Sequence, residues 1–381
     1  MRIAMIGLKG IPAKWGGIEK YVEEIGKRLV GRGHEVSVFG SNWYCREYVQ
    51  SVYEGMRVRK VPAIHHHATD AISNAFLSSL CTACGAYDVA HFHGHASYLF
   101  LPIVKRSGKA TVVTAHGVES GWENPKHGGV ARYIIRTAFR KGLKTAHGAT
   151  AVAAHLQDRI KEQFGVGSIV TPSGIDQREV VPPSLIRKKY QLSGQDYLLF
   201  LGRIDPIKRI ESIVDLTSRL KSRVRIVIAG GPQDSSSSAY YQRLVQMSDQ
   251  TSGCIFTGPV FGQEKEELLS NCTAFISASE NEGLPIALLE ALSYGRCAVV
   301  SDIDAHREVI EDGVSGFLFN HQDSSALART VSRVLGLRQE ELVRLGDQAR
   351  DRTEKAFNWD RTTDLFEQVY KRCIDECKQS R

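Results

Sequence analysis

No run of about 18 apolar residues occurs in the 381-residue chain, so no membrane-spanning helix is expected. The opening Met1-Arg-Ile-Ala-Met-Ile-Gly7 is a short β-like run without the pattern of a signal peptide. Eight cysteines are scattered without the spacing of a disulfide framework, which points to a reducing cytoplasm. Neither G-x-G-x-x-G nor a Walker G-K-[S/T] loop is present, which speaks against a nicotinamide-dependent oxidoreductase. Sequence repeats are absent, and the only low-complexity segment is Ser235–Ser238, expected as a mobile loop. His91, His93 and His95 alternate along a strand end, and His65-His66-His67 form a run. No cysteine or acid stands beside them at ligand spacing, so no metal is expected. Cys81-x-x-Cys84 has no second pair and is expected as two buried thiols in a helix. The net charge of +7 suits an anionic ligand or membrane surface but is too diffuse to imply nucleic acid.

The composition, 42% apolar and 24% charged, is that of a globular protein, and the length suits two domains. Short β-rich runs alternate with helical patterns. Strands are expected at Ile3–Ile6, Glu35–Phe39, Ala110–Thr114, Ala149–Val152, Tyr197–Leu201, Arg225–Ile228, Ile255–Thr257, Ala274–Ile276 and Ala298–Val300. Helices are expected at Ile18–Gly31, Arg132–Lys144, Ile210–Leu220, Lys265–Leu269 and Pro285–Tyr294. The alternation runs twice, from Met1 and from Tyr197, with the turn-rich stretch 172–184 between. That implies two α/β domains, each a doubly wound parallel sheet, facing across a cleft. The expected division is 1–175, 176–357 and a C-terminal helix, 358–381, packing back on the first domain.

The densest motif is Glu282-Gly-Leu-Pro-Ile-Ala-Leu-Leu-Glu290. An apolar run, Thr273-Ala-Phe-Ile276, precedes it as a buried strand. Pro285 suits the first position of the following helix, whose free N–H groups at Ile286 and Ala287 form a ready phosphate site. Glu282 precedes that site and Glu290 lies inside the helix. A phosphate cradle with acids on two sides suits a sugar nucleotide. Gly202-Arg203-Ile-Asp-Pro-Ile-Lys208 ends another apolar strand and places two cations where a diphosphate could be neutralised; a solvated basic loop reads equally well. Gly7-Leu-Lys-Gly-Ile-Pro-Ala-Lys-Trp-Gly-Gly17 is a Gly-rich loop that would let a diphosphate approach the backbone at Gly16 and Gly17. Ala229-Gly-Gly-Pro232 and Thr257-Gly-Pro-Val260 are turns whose backbone groups could meet a nucleobase, although each taken singly reads better as an ordinary β-to-α turn. His116, in Val113-Thr-Ala-His-Gly117, could reach a sugar hydroxyl, with Glu119 beyond it. Arg132, Arg136, Arg140 and Lys144 recur every four residues beside Tyr133, Ile135 and Phe139. This stripe suits an anionic membrane, a lipid-phosphate acceptor or a solvated face.

Together these motifs resemble the retaining glycosyltransferases of family 4, of GT-B fold. The matching pieces are Glu282-x7-Glu290 with Ala291-Leu-Ser-Tyr-Gly295, Gly202-Arg203 with Lys208, Gly16-Gly17, and His116-Gly117. The opening looks most like the bacterial exopolysaccharide and lipid-linked glycan branch. The resemblance implies that Glu282 holds hydroxyls of the donor sugar and Glu290 those of the ribose. Arg203 and Lys208 would bind the diphosphate, aided by backbone near Gly16, Gly17, Gly283, Leu284 and Pro285. His116 would contact the sugar, Gly230, Gly231 and Val260 would line the base, and Lys9 and Glu119 would meet the acceptor. It implies a metal-independent enzyme with no cofactor, a UDP-sugar donor (UDP-glucose first, GDP-mannose as the alternative) and a glycan or lipid-linked acceptor. The place would be the cytoplasm, peripheral at the inner membrane face. A nucleotide-sugar epimerase is the alternative of another class. Two positions depart from the family pattern: Ser173, where Asn is usual, and Ala153, where Ser is common.

Overall fold

The computed structural model describes residues 1–13, 16–48, 50–65, 69–117, 129–193, 197–220, 224–232, 235–249 and 253–380. The chain divides into two compact units, Met1–Gly174 with Trp359–Arg381, and Ile175–Asn358.

Unit 1 runs β1 (Arg2–Ile6), α1 (Gly17–Gly31), β2 (Glu35–Ser41), β3 (Val52–Tyr53), β4 (Met56–Val61), α2 (Asp70–Cys84) and β5 (Val89–His93). A 3-10 turn (His95–Phe100), α3 (Leu101–Arg106), β6 (Ala110–Ala115), α4 (Gly129–Thr145), β7 (Gly148–Ala151), α5 (Ala154–Phe164) and β8 (Ile169–Val170) follow. Its sheet has the order β3-β4-β2-β1-β5-β6-β7-β8, parallel except where β3 meets β4. The central strands are short apolar runs buried on both faces, as helices on both sides require.

Unit 2 runs α6 (Leu185–Tyr190), β9 (Tyr197–Leu201), α7 (Ile210–Val214), α8 (Leu216–Leu220), β10 (Arg225–Ala229), α9 (Ser235–Asp249), β11 (Cys254–Gly258) and α10 (Gly262–Asn271). It continues with β12 (Ala274–Ser277), α11 (Ile286–Ser293), β13 (Cys297–Ser301), α12 (Asp304–Arg307), β14 (Phe317–Phe319), α13 (Ala326–Leu335) and α14 (Gln339–Ala356). Its sheet order is β11-β10-β9-β12-β13-β14, all parallel. Alternate residues of each strand feed two apolar layers: Leu198, Ile226 and Ile276 into one, Leu199, Val227 and Phe275 into the other.

The last helix, α15 (Trp359–Gln379), belongs to unit 1 and packs on α1, β5, β6 and β7. Trp359, Phe366, Val369, Tyr370, Cys373 and Cys377 form its buried stripe, while Leu365 stays half-buried. Tyr21 fixes this end of the unit. Its hydroxyl donates to the Thr171 carbonyl (2.6 Å), and its ring meets Trp359 and Phe366 edge-on.

Every strand expected in the sequence list is present. Missing from that list are β3, β4, β5, β8 and β14: three are three residues or shorter, β4, Met-Arg-Val-Arg-Lys-Val, lies next to the sheet edge with its charges exposed, and β5, Val-Ala-His-Phe-His, shows in the sequence only as a strand end at its histidines. Three expectations are corrected. Ser235–Ser238 is the first turn of α9 and not a loop. The single helix 210–220 breaks at Asp215 into two. Cys81 and Cys84 lie in a helix, as expected, but are exposed; the apolar pattern of α2 does not face the core throughout. Ala153 is the N-cap of α5 and supplies no side-chain cap.

Candidate functional site

In a doubly wound sheet the strand order reverses at one point, and loops leaving the carboxyl ends of strands there diverge to leave a crevice. In unit 2 the reversal falls between β9 and β12. The loop after β9 carries Arg203 and Lys208, and the loop after β12 carries Glu282. Topology thus brings together residues 74 positions apart.

Asp205 accepts from the Ile207 N–H (3.3 Å) and caps the tight turn Pro206–Lys208. The Glu280 N–H donates to the Ile207 carbonyl (2.9 Å), and Arg209 donates to the Glu280 carboxylate (2.5 Å). These ties hold the two loops in register. Between them Lys208 Nζ donates to Glu282 Oε1, and Ser279 Oγ donates to the same oxygen (2.9 Å). Ser279 is placed in turn by Ser301, whose hydroxyl donates to its carbonyl (2.5 Å). Lys208 and Glu282 are 18% and 15% exposed, so the pair is largely withdrawn from water but reachable. Burial pushes the Glu282 carboxyl up, but the Lys208 ammonium and the Ser279 hydroxyl outweigh it and hold the carboxyl below its ordinary value. His306 lies within electrostatic reach of Glu282; burial lowers it to about 4, so it is a neutral neighbour. Arg203 stands more open, with Asp205 at 3.7 Å as a distant partner.

Pro285 precedes α11 as its N-cap and does not occupy the first helical turn, one position earlier than expected. The consequence is unchanged. The Leu289 N–H reaches back to the Pro285 carbonyl (3.1 Å), so the N–H groups of Ile286, Ala287 and Leu288 have no acceptor within the helix. They mark its positive end, beside the turn at Gly283 and Leu284. Glu290, on the second turn of α11, is buried and pairs with Lys265 Nζ of α10 (2.7 Å).

The turns after β10 and β11 satisfy part of their backbone with one another. The Gly230 N–H donates to the Gly258 carbonyl (2.9 Å), and the Gly231 carbonyl accepts from Ile204 N–H (3.1 Å). These groups join three loops to one another. Gly230 has φ +150, and a Cβ there would lie 1.8 Å from the Gly202 oxygen; the glycine is required by the chain's own packing. Val260 is buried beside them.

In unit 1 the order reverses between β1 and β5. The loop after β1 is stitched by acids of α1: the Lys9 N–H donates to Glu19 (2.9 Å) and the Ala13 N–H to Glu23 (2.8 Å). Gly16 has φ +105, and a Cβ there would meet the Glu19 carboxylate at 2.1 Å, so this glycine too serves an internal contact. Gly17 opens α1. Beside the loop, β5 and β6 end in histidines. His93 Nδ1 and His116 Nε2 share a hydrogen bond of 3.0 Å, and His91 bridges Tyr370 of α15 (2.7 Å) and Thr114 (2.6 Å). Burial lowers His93 far below the usual range. Burial, with His95 beside it, lowers His116 to about 3. Both are neutral near pH 7. The Nε2 atom of His93 is buried and has no partner among the described residues. Glu119, His66 and His67 lie outside the described residues. Among those described, no group of three histidines, cysteines or acids is placed to hold a metal ion.

Sequence reading missed Ser279, Lys265, His306 and Glu19. Only Ser279, three residues before Glu282, lies close enough for a local pattern to find it.

Two α/β units, each built on a parallel sheet, make up the GT-B glycosyltransferase fold. Residues 15–179 match Glycosyltransferase Family 4, and residues 184–352 match Glycosyl transferases group 1; the chain belongs to this family. It is 25% identical over 351 residues to the GDP-mannose-dependent alpha-(1-6)-phosphatidylinositol monomannoside mannosyltransferase of Mycolicibacterium smegmatis, covering 85% of this chain and 87% of that one. Among solved structures it is similar to sucrose-phosphate synthase from Thermosynechococcus elongatus (TM-score 0.84, 17% identity, 98% and 99% of the two chains). It is also similar to Anabaena HepE in complex with UDP-glucose (TM-score 0.78, 18% identity, 100% of both chains).

Proposed function

We propose that the protein transfers a hexosyl group, with retention at the anomeric carbon, from a nucleoside diphosphate sugar to a glycan or lipid-linked glycan in polysaccharide synthesis. The observation that carries this reading is the Lys208–Glu282 pair, set against the positive end of α11. Lys208, Arg203 and the free N–H groups of α11 take the diphosphate, and Gly283, Leu284 and Pro285 shape the turn beneath it. Glu282 takes hydroxyls of the sugar and Glu290 those of the ribose. Gly230, Gly231 and Val260 shape the base pocket. His116, neutral at pH 7, hydrogen-bonds the sugar, and Gly16 and Gly17 are proposed beside the diphosphate. Lys9 and Glu119 are proposed for the acceptor.

In this reading the acceptor oxygen bonds to the anomeric carbon on the face from which the phosphate oxygen departs, and that phosphate oxygen takes the hydroxyl proton. The chain supplies position and fixed positive charge. Lys208 and Arg203 neutralise the leaving diphosphate, so chelators are expected to leave the rate unchanged.

UDP-glucose is the first donor to test. GDP-mannose is the second reading, favoured by the donor in the name of the mycobacterial relative. A thermal-shift panel of UDP, GDP, ADP and their sugars decides between them, because stabilisation grows with the logarithm of ligand over Kd. One nucleotide is expected to stand out; equal shifts for all would sink the nucleotide-sugar reading. Conversion of a labelled sugar nucleotide without acceptor would favour an epimerase instead.

A further inference from the structure

From α2 to α4, one helical layer of unit 1 combines exposed apolar side chains with exposed charge of a single sign. The connections β4 to β5, β5 to β6 and β6 to β7 all advance in one direction along the sheet. Right-handed crossovers therefore place α2, the 3-10 turn with α3, and α4 on one face, with α5, which carries the exposed acids Asp158 and Glu162, beyond α4. The β1-to-β2 crossover runs the opposite way, which puts α1 on the other face, with α15 packed against it. Phe76 of α2 meets Phe100 at 5.4 Å and Tyr98 stacks on Phe139 of α4 at 5.5 Å, so the turn is wedged between the two helices.

The outer side of this layer is apolar. Ile72, Phe76 and Leu80 recur every four residues along α2, with Leu99 on the turn and Tyr133 and Ile134 on α4. Their exposures run from 38% to 72%. No Asp or Glu occurs in 71–84, 95–109 or 129–145. On α4 alone, Arg132, Arg136, Arg140, Lys141 and Lys144 are all exposed. An apolar stripe flanked by cations is the pattern of a surface that lies in a lipid headgroup region. A second copy of the chain fits poorly: a two-fold contact through this face would set α4's cations against themselves.

We propose that this face of unit 1 docks on an anionic phospholipid bilayer, with the α2, turn and α4 apolar residues among the headgroups and the α4 cations on lipid phosphates. The placement deepens the glycosyltransferase reading and rests on it for its purpose. Helices of a parallel sheet begin where strands end, so Ile72, Leu99 and Tyr133 lie at the sheet edge that carries His116. A lipid-borne acceptor would arrive at that edge.

The test is co-sedimentation of the full chain with phosphatidylcholine vesicles, with and without phosphatidylglycerol. Binding is expected only with phosphatidylglycerol and is expected to weaken with salt. Each surface cation is worth about fivefold in partitioning, so Arg136→Glu, Arg140→Glu and Lys144→Glu together are expected to lower it at least about 100-fold. Phe76→Asp with Leu80→Asp is expected to lower binding to the same vesicles. Cys81 and Cys84, exposed on α2, take an environment-sensitive fluorophore whose emission should shift to the blue on anionic vesicles. Equal binding to both vesicle types, variants that bind unchanged or an unmoved fluorophore would overturn the proposal. So would a wild-type dimer that Phe76→Asp dissolves while vesicles bind nothing. Nucleotide thermal shifts separate this outcome from the catalytic one. Variants that lose vesicles and keep nucleotide are folded, whereas a wild type that binds vesicles and no nucleotide keeps the docking face and loses the enzyme.

Discussion

Both units place their candidate residues where the strand order reverses, yet they end those strands in different chemistry. Around β5 and β6, unit 1 gathers buried histidines that burial keeps neutral, held by one another and by Tyr370. Around β9 and β12, unit 2 gathers charges that are already paired: Lys208 with Glu282, Arg209 with Glu280, and Lys265 with Glu290. A charge withdrawn from water needs a partner, and Glu282 and Glu290 each supply one to a lysine. A diphosphate can then share the lysine without leaving the carboxylate unpaired, because Ser279 still donates to it. Neutral histidines carry no such cost and can donate to sugar hydroxyls without attracting the phosphate. Under the proposed function, unit 2 handles the charge of the donor and unit 1 the neutral groups.

The largest expected effect falls on unit 2. Lys208→Ala is expected to lower kcat on the order of 100- to 1000-fold, the scale of removing one preorganised charge-stabilising donor. Glu282→Gln should mainly lower turnover, whereas Glu290→Gln should weaken nucleotide binding about 10- to 100-fold, the range for a hydrogen bond to a charged group. Steady-state rates with nucleotide titrations check this. Equal effects of the two Glu variants on nucleotide affinity would erase the division between sugar and ribose handles.

Next come the glycines. Gly230→Ala drives a Cβ into the Gly202 backbone, and is expected to cost about 1–3 kcal/mol in denaturant unfolding. Gly16→Ala meets only the end of the Glu19 side chain, so the loss in unit 1 should be smaller. The reverse order would mean that the β1 loop of unit 1, not the β10 turn of unit 2, is the more rigid.

The last contrast is acid sensitivity, which should begin in unit 1. Unfolded histidine titrates near 6.5, while folded His116 titrates near 3 and His91 and His93 are lowered as well. Below pH ~6.5 the unfolded chain takes up protons that the folded chain refuses, so stability falls by up to about 1.4 kcal/mol per pH unit for each such histidine. In unit 2, His306 contributes in the same direction down to about 4. Glu282, whose folded value is depressed, contributes stability that is lost only below the unfolded carboxyl value near ~4.3. Hydrogen exchange followed between pH 7 and 5 should show unit 1 amides losing protection first. Simultaneous loss in both units would undo the contrast.

Much of this was legible in the sequence, and for an identifiable reason. Parallel strands buried on both faces must be unbroken apolar runs, so β1, β6, β9, β12 and β13 announce themselves. Gly202-Arg203, Lys208 and Glu282-Gly-Leu-Pro were legible because each sits within a few residues of its strand end. Strands broken by polar residues and marginal elements were not: β4, next to the sheet edge, alternates charge with apolar residues, β5 is interrupted by two histidines, and the first turn of α9 is all serine. Exposure of Cys81 and Cys84 was misread because an apolar helix pattern does not say whether anything covers it.

The sequence by itself determined the family, the class of fold and which loops carry cations and acids, since those follow from local periodicity and from motifs a few residues long. Only the tertiary structure decided the pairings. That Lys208 meets Glu282, that Lys265 of α10 meets Glu290 and that His93 meets His116 depends on which strands are neighbours in the sheet. Strand adjacency is set by long-range packing, which one-dimensional spacing does not encode.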